Sequence, residues 1–280
     1  MDTRFPFVDW FRNASPYINA HRGRTFVILI EGEAMASGRG EQLIQDLALL
    51  HTLGVRLVVV FGIRPQVHEA LTAAGVEPTR IDGRWVADRA VMAHVEQVAA
   101  HQRLWLEARL SLGLPSTPLH GVELSVISGN LVTAKPLGVR EGVDFDHSGE
   151  VRRVRASAIE GLLEKGSLVL LPPLGFSSTG EVFDLDASEV AQHAAVALKA
   201  DKLILLGESE GLEDEQGALL RQLSPAEAEP RLSAAVPGSE LARHLQAACT
   251  AAREGVARTH LLSWRNHDAL LGELFTRDGV

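Results

Sequence analysis

The chain has 280 residues, 46% of them hydrophobic and 22% charged, with a formal net charge of -9 at pH 7. That length can bury a large core, as one α/β domain or as two lobes, and the acidic balance argues against a general nucleic-acid surface, which needs a basic patch. One cysteine, Cys249, excludes an internal disulfide and a cysteine-based zinc site; no apolar run reaches the roughly 18 residues of a membrane span, and the N-terminus lacks the basic start and apolar stretch of a signal peptide, so a cytoplasmic protein without a membrane partner is expected.

Near the N-terminus Phe7, Phe11, Ala14 and Ile18 fall on one helical face, with Trp10 beside them. Pro16 is expected to kink or break that helix. The aromatic face either packs on its own domain or docks on another subunit. Residues 25–34 (TFVILIEGEA) follow. They have the outline of a phosphate-binding element: a buried strand, a turn with one glycine (Gly32), then a helix. Such a loop cradles phosphate with backbone N–H groups and usually carries a lysine and several glycines. Here the strand offers Leu29, and Glu31 and Glu33 flank the glycine. Two carboxylates would repel a polyphosphate.

Runs 26–30, 57–61, 168–171, 203–206 and 260–263 are rich in leucine and β-branched residues without polar alternation. They read as parallel strands covered on both faces. Helical stretches 41–52, 65–74, 88–112, 188–199 and 239–253 separate them, which predicts an open, mostly parallel sheet with helices on both faces. Residues 115–157 differ. Alternating runs 123–128, 131–136 and 150–155, joined by Ser128-Gly129-Asn130 and His147-Ser148-Gly149, read as a β-hairpin flap inserted into the sheet domain. Residues 207–238 are rich in Glu, Gly, Pro and Ala and read as an exposed excursion. Asp184, Asp186 and Asp201 lie at strand ends and a helix start, where aspartate caps naturally; this suits them better than a metal site. The 11 histidines are scattered, with no metal-ligand pair on a helix face. Cys249 shares a helical pattern with Leu245 and reads as a small buried hydrophobe.

These features resemble the amino acid kinase family and, within it, the N-terminal domain of the N-acetylglutamate synthases. The specific stretches are 11–23 (FRNASPYINAHRG) with 26–34, 49–66 (LLHTLGVRLVVVFGIRPQ), 125–130 (SVISGN), 136–139 (PLGV) with 142–144 (GVD) and 147–149 (HSG), and 273–279 (ELFTRDG). The resemblance covers nearly the whole chain. It implies an acetylglutamate kinase-like fold, with residues 1–22 as a kinked helix serving oligomerisation and an arginine site and 23–280 as the kinase-like domain. It also implies a place in arginine biosynthesis, where the parent family transfers acetyl from acetyl-CoA to glutamate in a separate C-terminal acetyltransferase domain. No Arg/Gln-x-x-Gly-x-Gly/Ala loop for acetyl-CoA is found; residues 80–85 (RIDGRW) are a near miss. The acetyltransferase domain is therefore expected to be absent from this chain and supplied in cis or in trans. No cofactor is expected here, because acetyl-CoA would belong to that domain.

The sister enzyme, acetylglutamate kinase, shares the fold. Phosphoryl transfer needs positive charge and N–H donors around the phosphate, with an acidic organiser. By resemblance the strand lysine corresponds to Leu29, a loop glycine to Glu31, the acidic organiser to Ser188 and a late lysine to Arg243. The arginine that grips the substrate carboxylate corresponds to Trp85, with Arg84 one place earlier. Of the second glycine-rich turn only Gly62 remains, and Ile63 and Arg64 add bulk. Losing one charged hydrogen bond costs roughly 1.5–3 kcal/mol, so joint loss implies no phosphoryl transfer.

The synthases and the arginine-sensitive kinases bind free arginine in this domain. The resembling positions are Tyr17, Lys202, His260, Glu273 and Gly279. A carboxylate matches the guanidinium fork bidentately, which suits Glu273; a carbonyl near Gly279 takes remaining donors, and Lys202 suits the ligand carboxylate. Read alone, Glu273 equally fits a solvated helix face, His260 a core histidine and Lys202 a strand-entry charge. The reading is an L-arginine-binding, feedback-regulatory domain in a homo-oligomer, a hexamer by resemblance. Acetylglutamate kinase and a non-catalytic assembly scaffold are the alternatives.

Overall fold

The computed structural model describes residues 6–81, 84–111, 121–214, 216 and 218–276, with side chains from residue 11 onwards. In chain order the elements are α1 (Pro6–His21), β1 (Thr25–Ile30), α2 (Gly32–Ala36), α3 (Gly40–Thr52), β2 (Arg56–Phe61), α4 (Arg64–Ala74), β3 (Arg80–Ile81), β4 (Arg84–Trp85) and α5 (Arg89–Ser111). Then come β5 (Val126–Ser128), β6 (Val132–Pro136), β7 (Val139–Arg140), β8 (Val143–Asp144), β9 (Gly149–Val154), α6 (Ala156–Glu164), β10 (Leu168–Leu171), β11 (Leu174–Phe176) and β12 (Val182–Asp184). The last are α7 (Ala187–Ala197), β13 (Lys202–Gly207), α8 (Pro225–Ala234), α9 (Glu240–Arg253), β14 (Arg258–Ser263) and α10 (Ala269–Phe275).

The five apolar runs form five neighbouring strands of a six-stranded sheet ordered β14-β13-β1-β2-β10-β5, with every pairing parallel and β14 at one edge. Successive residues of a strand point to opposite faces. Phe26, Ile28 and Ile30 of β1 enter a core with α3, α4, α5 and α10 residues. Val27 and Leu29 enter a second core with α6, α7 and α9 residues. Both faces are covered, which is why these runs show no polar alternation.

Three expectations need correction. The run 123–128 does not belong to the flap. Its residues Val126–Ser128 are the edge strand β5, parallel to β10 (Val126 beside Leu168), so Ser128-Gly129-Asn130 carries the chain from one sheet to another. The flap itself is a four-stranded sheet, β12-β11-β6-β9, with a small β7–β8 hairpin whose turn residues Glu141 and Gly142 both have positive φ. Second, of the kink or break expected at Pro16 the break does not occur: α1 continues through it to His21. Third, the excursion 207–238 contains α8, started by a capping box in which Ser224 and Glu227 satisfy each other's backbone N–H. Ala228 is buried, and Glu229 pairs with Arg253 of α9.

Candidate functional site

In an open α/β sheet, ligands enter at the carboxyl ends of the strands where the chain reverses its direction of progress. Here that point lies between β1 and β13, because the chain runs from β1 to β2 on one side and later places β13 on the other. The crevice is filled by the protein's own side chains. Glu31, at the end of β1, is 3% exposed, and its Oε1 lies 2.9 Å from His244 Nε2 of α9. Its Oε2 presses on Gly62, where an added Cβ would sit 2.5 Å away. Across the crevice, Glu240 accepts from the Glu208 backbone N–H at 2.7 Å, and a Cβ on Gly207 would stand 2.8 Å from the His244 ring. These two glycines let carboxylate and imidazole approach the backbone. Leu29 is wholly buried, Ile63 is 3% exposed, and Gly32 is buried at the start of α2.

A second constellation lies one strand over. A cleft is lined by Gly62, Ile63, Arg64, Arg84, Trp85, Ser148, Asp184 and Asp186. Asp186 caps α7, accepting from the Ser188 and Glu189 N–H groups. Its other oxygen meets Arg64 Nη2 at 2.8 Å and Arg243 Nε at 3.2 Å. Burial pushes this carboxyl up, but the Arg64 and Arg243 charges and the Ser188 hydrogen bond outweigh it and hold it at about 2. Asp184 shows the opposite balance: burial raises it to about 7 despite Arg64 and Arg84. Arg84 is held by Glu189 at 3.1 Å and by the Gly149 carbonyl at 3.2 Å. Ser188 and Arg243 therefore both serve Asp186. Asp201 sits apart and ties β1 down, accepting from Thr25 N–H at 2.9 Å and Arg24 Nη1 at 3.1 Å.

The structure brings Lys202, His260 and Glu273 together at the β13–β14 edge. Lys202 Nζ is 3.2 Å from His260 Nε2, and His260 Nδ1 is 2.9 Å from Glu273 Oε1. Lys202 also lies 5.9 Å from the Phe26 ring centroid. Burial lowers the Lys202 pKa and Arg258 lowers it further, while Glu273 and Asp201 pull it back. Tyr17 is partly buried against the core on α1, the helix that packs against α10. Gly279 lies outside the described residues.

Three residues of this region escaped sequence reasoning: His244, Glu240 and His21. His21 Nε2 meets the Leu274 carbonyl at 2.8 Å and its ring packs edge-on against Phe26 and Phe275. Burial lowers its pKa. The signal for His244 and Glu240 was their i, i+4 spacing on one face of α9.

The model of the amino acid kinase family matches residues 24–263. The amino-acid acetyltransferase of Pseudomonas fluorescens (strain SBW25) is 48% identical over 273 residues, 98% of this chain and 63% of that protein. The enzyme of the same name from Pseudomonas putida (strain GB-1) is 47% identical over 274 residues. Among solved structures, N-acetylglutamate synthase from Neisseria gonorrhoeae complexed with coenzyme A and L-arginine superposes with a TM-score of 0.90 at 35% identity, over 98% of this chain and 64% of that one. Carbamate kinase from Giardia lamblia, at 15% identity and a TM-score of 0.66, shares the fold. The chain thus spans a little under two thirds of the length of the acetyltransferases it matches.

Proposed function

The chain belongs to the amino acid kinase family, and we propose that within it this is the arginine-binding, feedback-regulatory domain of an N-acetylglutamate synthase-type protein. The whole protein then serves arginine biosynthesis in the cytoplasm, transferring acetyl from acetyl-CoA to L-glutamate, with acetyl-CoA bound by a further domain. The observation that carries the reading is the meeting of Lys202, His260 and Glu273, which come from three separate elements. An amino-acid carboxylate suits Lys202 and a guanidinium suits Glu273. The Neisseria relative's complex with L-arginine supports the ligand. The kinase alternative is disfavoured by the carboxylates packed into the β1–β13 crevice.

The test is a thermal unfolding series with L-arginine. A ligand that binds only the native state adds RT ln(1 + [L]/Kd) to stability, so Tm should climb with arginine concentration. No shift at millimolar arginine would favour the assembly-scaffold reading, in which α1 joins the subunits of a homo-oligomer such as a hexamer.

A further inference from the structure

The flap meets the body of the domain along a polar seam. Ser148 Oγ donates to the Trp85 carbonyl at 2.6 Å and accepts from the Ala87 N–H at 2.9 Å. Arg84 joins the Gly149 carbonyl of β9 to Glu189 of α7, and the other Glu189 oxygen accepts from the Val151 N–H of β9 at 2.8 Å. This seam forms one side of the cleft, which takes Ser148 and Asp184 from the flap and Ile63, Arg64, Arg84 and Trp85 from the body. Asp184 is its weak member. Among the described residues no group hydrogen-bonds its carboxyl, because Arg64 is engaged with Asp186 and Arg84 with Glu189 and the Gly149 carbonyl. Burial raises this carboxyl to about 7; Asp186 adds to the rise, while Arg64 and Arg84 oppose it. The charged and titratable groups around it are Arg64 of α4, Arg84 of β4, Asp186 and Glu189 at the start of α7, and Arg243 of α9. His147 of the flap completes the set; its carbonyl accepts from the Asp184 N–H at 2.8 Å.

We propose that Asp184 is the release of a lid: while it is neutral the flap stays closed over the cleft, and when it ionises the seam at Arg84, Glu189 and Ser148 opens. A dry, unpartnered carboxylate is costly. It has two ways out. It draws Arg84 away from Glu189 and the Gly149 carbonyl, or it admits water by parting the flap from the body. Either one undoes the contacts that hold β9 in place. The sign follows from the two states. In the open seam the carboxyl is wet and titrates near its ordinary 3.8; in the closed seam it titrates at about 7. Closure is therefore firmest below about pH 3.8, weakens as the pH climbs, and reaches its weakest level at about pH 7. Acidification shuts the lid, and neutral pH leaves it poised to open.

The experiment is native-state amide hydrogen exchange on the full chain from about pH 5 to 8.5, with rates corrected for intrinsic exchange so that they report the opening equilibrium. The reporters are the Ala87, His147 and Val151 amides, which bond across the seam. In the wild type their opening constant should rise by up to about tenfold per unit from pH 5 to about pH 7, for one linked proton, and then level off. In Asp184→Asn, which keeps the shape of the side chain and stays neutral, it should stay level throughout. Equal profiles in the two proteins overturn the proposal. So does a rise in the wild type that the β1 amides share in full, because that reports global unfolding. A second variant guards against misfolding of the first. Asp46→Asn removes the other carboxyl raised to about 7 and leaves Asp184 in place, so the rise at the three seam amides should persist; a level profile there overturns the proposal.

Discussion

Glu31 and His244 stand 213 positions apart in the sequence and meet with 2.9 Å between Oε1 and Nε2, both almost wholly buried. The pair closes the carboxyl ends of β1 and β13, the place where this sheet topology usually admits a ligand. It turns an unpromising glycine-poor loop into a packed, polar plug.

Removing one partner leaves the other buried and unsatisfied, which costs more than the bond itself contributes. His244→Ala should lower unfolding stability by about 3 kcal/mol, read from urea denaturation. A change under about 1 kcal/mol would show that water enters and replaces the imidazole.

The plug also bears on catalysis. Glu31 and Glu240 place carboxylates where phosphate would need backbone N–H groups and cations. Purified protein should produce no ADP from ATP in the presence of N-acetylglutamate. Saturable, N-acetylglutamate-dependent ADP production in a coupled assay would overturn this.

At the β13–β14 edge, Glu273→Gln keeps the size of the side chain and removes its charge. Arginine binding should weaken by about 1.5–3 kcal/mol, the worth of a charged hydrogen bond, seen as a smaller arginine-induced rise in Tm. Lysine should stabilise the wild type far less, since an ammonium cannot pair bidentately. Equal arginine shifts in wild type and variant would remove Glu273 as the anchor.

Asp46 of α3 is 7% exposed. Burial, with Asp268 adding to it, raises its carboxyl from 3.8 to about 7. A raised carboxyl contributes stability that is fully present below about pH 3.8 and is lost as the pH climbs through about 7. Asp46→Asn removes this loss. Its stability advantage over the wild type should grow between pH 5 and pH 8 by roughly 3 kcal/mol at most, from the two units between pH 5 and about 7 at about 1.4 kcal/mol each. A difference that stays constant across that range would contradict the buried-carboxylate account.

Phe11 of α1 is 51% exposed, whereas Ala14 is buried and Ile18 packs on the core. The helix thus keeps one flank on its own domain and offers Phe11 outward. Phe11→Asp should lower the mass seen by light scattering without lowering Tm. An unchanged mass would reject this flank as a subunit contact. Phe7 and Trp10, assigned to the same face from the sequence, lie outside the residues with described side chains.

Much of the fold was legible because its determinants are short-range. The runs around Val27, Val58, Val169 and Ile204 are buried and apolar on both faces, as a doubly covered parallel strand needs. The helix starts at Asp186 and Ser239 follow from local capping chemistry. The capping box at Ser224 and the turn at Glu141-Gly142 were equally local but were overlooked inside segments judged by composition.

By itself the sequence determined the strand and helix alternation, the likeness to the amino acid kinases and a β1–α2 turn with a single glycine between Glu31 and Glu33. Tertiary structure alone decided where residues 126–128 pair, because an edge strand and a hairpin strand share the same alternation and differ only in their neighbour. It also decided which side chains fill the crevice between β1 and β13. Glu31, Glu240 and His244 carry no message in isolation. Their meaning comes from α9 crossing the end of β1, a contact between distant segments set by helix packing on the whole sheet and not by any local pattern.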